Sequence, residues 1–185
     1  MSKERGRMSD LGSLASEGYV SVVEAPPPGM VTLRCRDGAA LTAALTGVGL
    51  TFPDHRGRSV TERGEVLWMS PDELLLLLSP EDVAGMMANL REALDKVPAL
   101  IVDVSDARVM FRLTGTGAEE VLSKISPALL PARGEVRRSR IGQIAAAFWH
   151  SGDAEMTVIC FRSVAGYARD LLSYAARRGS QIDPV

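Results

Sequence analysis

Residues 64 to 87, GEVLWMSPDELLLLLSPEDVAGMM, contain two short apolar runs on either side of a polar Ser70-Pro71-Asp72 sequence. A proline at the second position of a four-residue turn suits a reversal of the chain. The run of five leucines is far shorter than the roughly 18 apolar residues that suggest a membrane-spanning helix. The pattern therefore predicts a β-hairpin with a buried second strand.

A helix is predicted directly after the hairpin. In the sequence Ser79-Pro80-Glu81-Asp82, Ser79 can cap a helix, Pro80 suits its first position, and the two acids favour the positive helix end. Apolar residues then recur at the spacing of one helical face, at Val83, Met86, Met87, Leu90, Ala93, Leu94 and Val97. The helix is expected to end before Pro98, with the methionines as core residues.

The second half of the chain contains a related pattern in residues 145 to 171, AAFWHSGDAEMTVICFRSVAGYARDLL. Trp68 aligns with Trp149 at an offset of 81 residues, and this offset gives seven identities in 23 positions without a gap. It places Met86 on Tyr167 and Leu90 on Leu171. Both stretches are predicted to form strand, turn, strand and helix.

The repeat extends upstream at an offset of 80 residues, where Met30 and Leu33 match Met110 and Leu113. The sequences MVTLRCRDGAALTAAL and VMFRLTGTGAEEVLSKI each predict a strand followed by a short amphipathic helix. A further extended segment precedes each of them, as YVSVVE and as ALIVDVSD.

These patterns predict an α+β fold of internally duplicated ββα-ββα units, with helices packed on mainly antiparallel sheets. We expect one pseudo-symmetric domain over residues 19–178, with repeat units of about 19–98 and 99–178. Residues 1–18 are expected to be a flexible N-terminal tail without the apolar run of a secretory signal, and residues 179–185 a C-terminal tail.

Composition adds a broad class to this picture. Apolar residues make up 46% and charged residues 24%, as in ordinary globular proteins, and the net charge of −2 gives no reason to expect nucleic acid or an anionic membrane. Cys35, Cys160, His55 and His150 are dispersed, which indicates structural roles rather than a disulfide framework or a metal centre. The cytoplasm is the expected compartment.

Two polar clusters were weighed as sites of chemistry. Gly115 and Gly117 lie where a phosphate loop would lie, but neither nucleotide-binding glycine pattern is complete, so a plain turn with Thr116 as helix cap is favoured. Asp103, Ser105, Asp106 and Arg108 form an acid-base candidate, for which a hydrogen-bonded turn is the favoured interpretation. No nucleophile with an adjacent base and no catalytic residue is predicted.

Two basic loops are candidates for docking a partner. The repeat places FPDHRGRSVTER and PARGEVRRSR in equivalent connections, and arginine is enriched at protein interfaces. The candidate docking residues in these loops are Arg56, Arg58, Arg133, Arg137, Arg138 and Arg140. Simple solvation of the loops remains the more common alternative.

Three stretches together resemble the gamma subunit of heterotetrameric sarcosine oxidase: LWMSPDELLLL, VDVSDARVMFRLTGTGAEEVLSKISP and CFRSVAGYARDLL. The resemblance covers nearly everything from about Gly18 to Arg178. Within it, VDVSDARVMFRLTGTGA is similar to a stretch in the folate-binding domain of the glycine-cleavage aminomethyltransferases, which implies the duplicated α+β fold of that domain.

The resemblance implies a complex with alpha, beta and delta subunits that oxidatively demethylates sarcosine to glycine with O2. The products are H2O2 and either formaldehyde or methylene-tetrahydrofolate. FAD, FMN, NAD, tetrahydrofolate and zinc are expected in the other subunits, and none in this chain. The alternative is a stand-alone folate-binding protein or enzyme related to the aminomethyltransferases.

The leucine run adds one expectation about such a complex. Five consecutive leucines, where the second copy alternates in polarity, predict a strand that is covered on both faces. We expect the second cover to be another subunit, which makes Leu74 and Leu76 candidate docking residues.

Overall fold

The computed structural model describes residues 16–182, which form two β-sheets packed face to face with a pair of α-helices on each outer side. Residues 1–15 and 183–185 lie outside the described part, and with them most of the predicted N-terminal tail and the end of the predicted C-terminal tail. Residues 16 and 17 of the predicted tail form a two-residue strand. The α+β class with antiparallel sheets is confirmed.

The first half of the chain supplies most of a five-stranded sheet, called sheet I, with the strand order β4-β5-β6-β3-β7. Its strands are β3 (Gly29–Cys35), β4 (Arg58–Thr61), β5 (Gly64–Ser70), β6 (Glu73–Leu78) and β7 (Ala99–Asp103). Its helices are α1 (Gly38–Gly47) and α2 (Val83–Ala93), the second of which follows a 3-10 turn at Pro80–Asp82.

The second half supplies most of a six-stranded sheet, called sheet II, with the strand order β1-β2-β8-β11-β10-β9. Its strands are β1 (Ser16–Glu17), β2 (Ser21–Glu24), β8 (Arg108–Thr114), β9 (Val136–Ile141), β10 (Ile144–Gly152) and β11 (Glu155–Phe161). Helices α3 (Ala118–Ile125) and α4 (Ala165–Ala175) pack on it, and a 3-10 turn at Arg162–Val164 precedes α4.

The predicted hairpin and the helix after it are confirmed. The hydroxyl of Ser70 donates to the Asp72 carboxylate at 2.8 Å, which stabilises the turn between β5 and β6. Met86 and Met87 are buried, as predicted. The prediction that Ser79 caps the helix is wrong, because the chain first makes the 3-10 turn and the Ser79 side chain forms no capping bond.

The expectation that a partner subunit covers Leu74 and Leu76 is also wrong. Both side chains are at most 1% exposed and pack against the sheet I helices, whereas Leu75 and Leu77 face sheet II. Strand β6 is covered on both faces, as predicted, but both covers belong to this chain because it folds into four layers. Leu74 and Leu76 are therefore core residues and cannot dock a partner.

Strand pairing corrects the repeat alignment by one residue. Trp68 pairs with Leu74 beside a β-bulge in sheet I, and His150 pairs with Met156 beside the same kind of bulge in sheet II. The two hairpins therefore correspond at an offset of 82 residues, and Trp149 is not the counterpart of Trp68. Since a shift of one residue moves a side chain to the opposite face of a strand, the two tryptophans lie in different layers.

The helices follow the corrected offset. Helix α2 buries Met86 and Leu90, and α4 buries Ala168 and Leu172, which lie 82 residues further along the chain. Tyr167, which the offset of 81 placed on Met86, is 46% exposed. The upstream offset of 80 is confirmed, because Met30 and Met110 occupy corresponding pairings beside strands β6 and β11.

The first strand of each half joins the sheet of the other half. Strand β2 pairs with β8 in sheet II, and β7 pairs with β3 in sheet I. The two crossings have corresponding hydrogen bonds, from the Ala25 amide to the Met110 carbonyl and from the Val104 amide to the Met30 carbonyl, both 2.8 Å. Neither sheet is therefore complete within one contiguous half of the sequence.

Candidate functional site

The two basic loops meet at the centre of the molecule. Gly57 and Glu135 form an isolated antiparallel bridge, flanked by hydrogen bonds from the Arg58 amide to the Gly134 carbonyl (2.8 Å) and from the Val136 amide to the Arg56 carbonyl (2.7 Å). Corresponding turns precede the bridge on each side. The loops are therefore not merely equivalent in sequence position, as predicted, but are joined through their backbones.

The same backbone conformation recurs at the turn in each loop. Arg56 has a φ of 58° and Gly134 a φ of 84°, both in the left-handed region. Glycine adopts this region freely, whereas a residue with a Cβ atom pays roughly 1–2 kcal/mol. Arg56 is thus held by its loop in a costly conformation that leaves its side chain exposed to solvent.

Three of the six candidate arginines form close polar contacts within the chain. Arg58 donates to Glu65 at 2.8 Å and is mostly buried, and Arg133 reaches the Asp153 carboxylate at 3.1 Å. Arg138 lies 3.6 Å from Glu73 and donates to a carbonyl of sheet I. These guanidinium groups fasten the two sheets and their hairpins together.

The other three candidates differ in burial. Arg137 is mostly buried and lies 3.7 Å from Glu135, and its Nε atom has no hydrogen-bond partner in the described part of the chain. Arg56 and Arg140 are exposed, and their side chains bond to no residue that the structure describes. Arg56 and Arg140 thus have the guanidinium groups that are most available to a partner.

A charged cluster that the sequence did not reveal lies at one end of the layer between the sheets. The Arg108 guanidinium lies 5.4 Å from the centre of the Phe161 ring, and burial lowers the pKa of Arg108 although the Glu73 carboxylate opposes this shift. Arg138 approaches the same carboxylate from sheet II. Residues 35 and 65 positions apart in sequence meet here, so no local pattern could have indicated the cluster.

The acid-base candidate around Asp103 is a turn, as the favoured interpretation predicted. The Asp103 carboxylate accepts bonds from the amide and the hydroxyl of Ser105, at 2.9 and 2.5 Å. The Met30 amide donates to the same hydroxyl at 2.9 Å. These groups hold the crossing between the sheets, and Arg108 points elsewhere.

The glycine pair of the second candidate is also a turn and helix entry. Gly115 has a φ of 139°, and Gly117 packs directly against the Tyr19 ring, where a Cβ atom would overlap it. The prediction that Thr116 caps α3 is wrong: the capping position is Gly117, and no side chain caps the helix. Two acids in the first turn, Glu119 and Glu120, favour the positive helix end instead.

A cleft of about 540 Å³ opens between the sheets beside the crossing at Pro26–Pro28. Its polar lining includes Ser151 and Thr157, whose hydroxyl groups bond to each other at 2.8 Å. Ser151 in turn donates to Glu155 at 2.7 Å. The bonding capacity of these groups is largely used within the protein.

Metal and thiol chemistry receive little support from the described residues. Within residues 16–182 no three His, Cys, Asp or Glu side chains come together as a metal site. Cys160 is buried, and its burial raises the pKa of its thiol to about 11, which keeps it protonated and unreactive at neutral pH. No helix in the same range is long and apolar enough to cross a membrane.

Comparisons with known proteins agree on one family. The model of the sarcosine oxidase gamma subunit family matches residues 34–177. A sarcosine oxidase subunit gamma from Corynebacterium sp. (strain U-96) is 29% identical over 157 residues, covering 81% of this chain and 76% of that protein. One from an Arthrobacter species is 34% identical over 125 residues, covering 65% of this chain and 60% of that protein.

Solved structures extend the comparison to the fold. A chain of heterotetrameric sarcosine oxidase from Corynebacterium sp. U-96, in complex with pyrrole 2-carboxylate, superposes with a TM-score of 0.77 at 26% identity, covering 90% of this chain and 88% of that one. The glycine cleavage system aminomethyltransferase T from Bartonella henselae gives a TM-score of 0.62 at 13% identity, covering 88% of this chain and 48% of that one. The second match shows a shared fold alone.

Proposed function

The chain belongs to the sarcosine oxidase gamma subunit family, and we propose that it is a non-catalytic subunit that supports the assembly of a heterotetrameric sarcosine oxidase. The observation that carries this proposal is the superposition on a chain of heterotetrameric sarcosine oxidase along 90% of the present chain. The match spans both sheets and both helix pairs, so the whole fold, rather than one motif, corresponds to a subunit of that complex.

The proposed complex oxidatively demethylates sarcosine to glycine with O2, yielding H2O2 and formaldehyde or methylene-tetrahydrofolate. Its other members are alpha, beta and delta subunits, which hold FAD, FMN, NAD, tetrahydrofolate and zinc. The cytoplasm is the proposed compartment. In this arrangement the present chain contributes surface for association, and the chemistry occurs in its partners.

The arginine loops are the first candidate for that surface. Arg56 and Arg140 are exposed and without polar partners among the described residues, whereas Arg133 and Arg138 are exposed but already form ion pairs. Arginine in such settings favours bidentate contacts with carboxylates of a partner. Arg58 and Arg137 serve the fold of this chain instead, because both are largely buried.

Co-expression with the genes for the other subunits tests the assembly role. We expect the chain alone to be colourless and without oxidase activity, and to co-purify with flavin-bearing subunits when all four are expressed together. A failure of the chain to associate under those conditions, or full assembly and activity of the remaining subunits without it, would overturn the proposal.

Charge reversal tests the arginine loops within that experiment. The double change Arg56→Glu and Arg140→Glu should weaken association by about tenfold or more, because like charges then face each other across the contact. Arg178→Glu is the matched control, since Arg178 is also exposed but lies after α4, away from the loops. Equal association of the double variant and the control would remove the loops from the interface.

Folate binding is the alternative function, and the isolated chain can test it separately. Calorimetric titration with tetrahydrofolate should give no heat, and an excess of the ligand should not raise the melting temperature, because a ligand that binds only the folded state stabilises it. Saturable binding with thermal stabilisation would instead support a folate-binding protein.

A further inference from the structure

Strand β7 is an edge of sheet I, although the corresponding edge of sheet II is covered. In sheet II, β2 has β8 on one side and β1 on the other, where Val22 pairs with Ser16. In sheet I, β7 has β3 on one side, and no described strand on the other. Ile101 is the counterpart of Val22, and its outer side lacks the strand that covers Val22.

The hydrogen bonds of the neighbouring strand show which backbone groups of β7 point outward. The Val104 amide donates to Met30, and the Cys35 amide donates away from β7 to Asp72, so the even residues of β3 bond to β7. In an antiparallel pair these bonded positions alternate with outward-facing ones. Through the register of β7, the amides and carbonyls of Ala99, Ile101 and Asp103 therefore face outward.

These outward groups are largely unused within the described part of the chain. One of them, the Ile101 carbonyl, accepts a long bond of 3.4 Å from the Arg91 guanidinium. Such a row of amides and carbonyls is a template on which another strand can form backbone hydrogen bonds.

The side chains of β7 also lack the usual protection of an edge strand. Residues 99 to 102 read ALIV, with no charge and no proline, and Leu100 and Val102 are 52% and 37% exposed. Edge strands of stable monomers normally carry a charge, a proline or a bulge that prevents pairing. An uncharged apolar edge is therefore expected to be covered in the functional state of the protein.

A surface depression of about 840 Å³ lies beside the start of β7 and supplies unpaired positive charge. Arg36 and Lys96 line it, and neither forms an ion pair with a residue that the structure describes. The acids in the lining are already engaged: Asp37 caps α1, and Asp72 pairs with Arg34 at 3.0 Å. The charge of the site therefore favours a ligand that carries carboxylates.

We propose that an extended acidic segment of a partner subunit adds to β7 as a sixth strand of sheet I, with its carboxylates beside Arg36 and Lys96. The inference rests on the proposed function, because it takes the occupant from the same complex. The chain's own first fifteen residues are poorly suited to this site, since they carry three basic side chains against two acidic ones. Strand addition would provide affinity through the backbone bonds and specificity through alternate side chains.

Hydrogen exchange in the assembled complex tests the placement directly. The amides of Ala99, Ile101 and Asp103 should exchange at least about tenfold more slowly in the complex than in the isolated chain, because exchange requires the new backbone bonds to open. The opposite edge, β4, supplies the internal control and should not change in the same way. Unchanged exchange at β7 on assembly would overturn the proposal.

Two matched variants test the contact energetically. Leu100→Lys places a charge on the proposed edge, and Val60→Lys makes a comparable change on β4, where Val60 is 60% exposed. We expect Leu100→Lys to weaken association with the partner subunits by about tenfold or more while Val60→Lys does not, since a charge on an edge strand opposes pairing. Both isolated variants should melt within a few degrees of the original chain, because both positions are exposed.

The outcomes separate this proposal from the assembly role. If the original chain does not associate with the other subunits, the proposed function fails and the edge proposal fails with it. If the original chain and Leu100→Lys assemble equally well, only the edge proposal fails. If β7 is protected in the isolated chain, increasingly so at higher concentration, a second copy occupies the edge and the proposal is again overturned.

Discussion

At the scale of single residues, Lys124 is the most densely bonded charged side chain in the described structure. Its ammonium donates to the Tyr19 hydroxyl (3.0 Å) and to the carbonyls of Ala175 (2.7 Å) and Ser180 (2.8 Å). Glu120, one turn earlier on α3, accepts bonds from the Tyr19 hydroxyl and the Ile182 amide, both 2.9 Å. These two residues hold the segment after α4 against α3, although sequence patterns had assigned that segment to a tail.

The Glu120 carboxylate gives this cluster a defined pH dependence. The Ile182 amide, together with Tyr19 and Lys124, lowers the pKa of Glu120 below its ordinary value, so the ionised form stabilises the folded state. That stabilisation is present above the ordinary pKa and is lost as the pH falls through the lower folded pKa. Glu120→Gln should therefore lower the melting temperature at neutral pH, and the difference from the original chain should shrink as the pH falls.

Thermal unfolding at a series of pH values measures this effect. Glu62→Gln is the control, because Glu62 is exposed and bonds to no other residue in the described range. A difference between Glu120→Gln and the original chain that stays constant down to strongly acidic pH would contradict the assignment.

At the scale of secondary structure elements, the one-residue shift between the hairpins decides which layer each tryptophan joins. Trp149 is 2% exposed and lies between the two sheets, where it packs with apolar residues of both. Trp68 lies on the helix side of sheet I, is only half-buried, and its ring centre is 4.6 Å from that of His55. Two residues that seemed to mark the repeat thus have different environments.

Alanine substitution distinguishes the two environments. Trp149→Ala should lower the free energy of unfolding by about 3–5 kcal/mol, the usual cost of emptying a large buried site, and Trp68→Ala should cost clearly less. Urea denaturation followed by circular dichroism provides the measurement, since it does not depend on tryptophan fluorescence. Equal costs would indicate that the residues are equivalent and that the offset of 81 describes the structure.

At the scale of the whole molecule, the exchange of β2 and β7 between the sheets joins the two halves of the chain. Sheet I needs β7 from beyond residue 98, and sheet II needs β2 from the beginning of the described chain. Between the sheets, buried residues from both halves form one apolar layer. We therefore propose that residues 19–178 act as one domain rather than as two adjacent units.

Calorimetry tests this proposal. A single domain should unfold in one transition whose calorimetric enthalpy equals its van't Hoff enthalpy, because neither half retains a complete sheet after the other unfolds. A deletion of residues 1–28, which removes β2, should lower the stability of the entire protein and not that of sheet II alone. Two separable transitions in the original chain would show that the halves unfold independently.

The sequence alone determined the elements whose signals are local. The β5-β6 hairpin, the helical face through Met86 and Leu90, the antiparallel α+β class and the family resemblance all followed from apolar spacing and short motifs. The turn around Ser105 followed from its own polar side chains. In each of these cases the residues that decide the structure are close together along the chain.

Only the tertiary structure decided which surfaces cover one another. It assigned β2 and β7 to opposite sheets, buried Leu74 and Leu76 within the chain, shifted the second hairpin by one residue, and placed Glu73 beside Arg138. It also separated the buried arginines of the basic loops from the exposed ones. These outcomes depend on contacts between residues far apart in sequence, and an apolar side chain is stabilised equally by burial against its own chain or against a partner, so its pattern cannot tell the two apart.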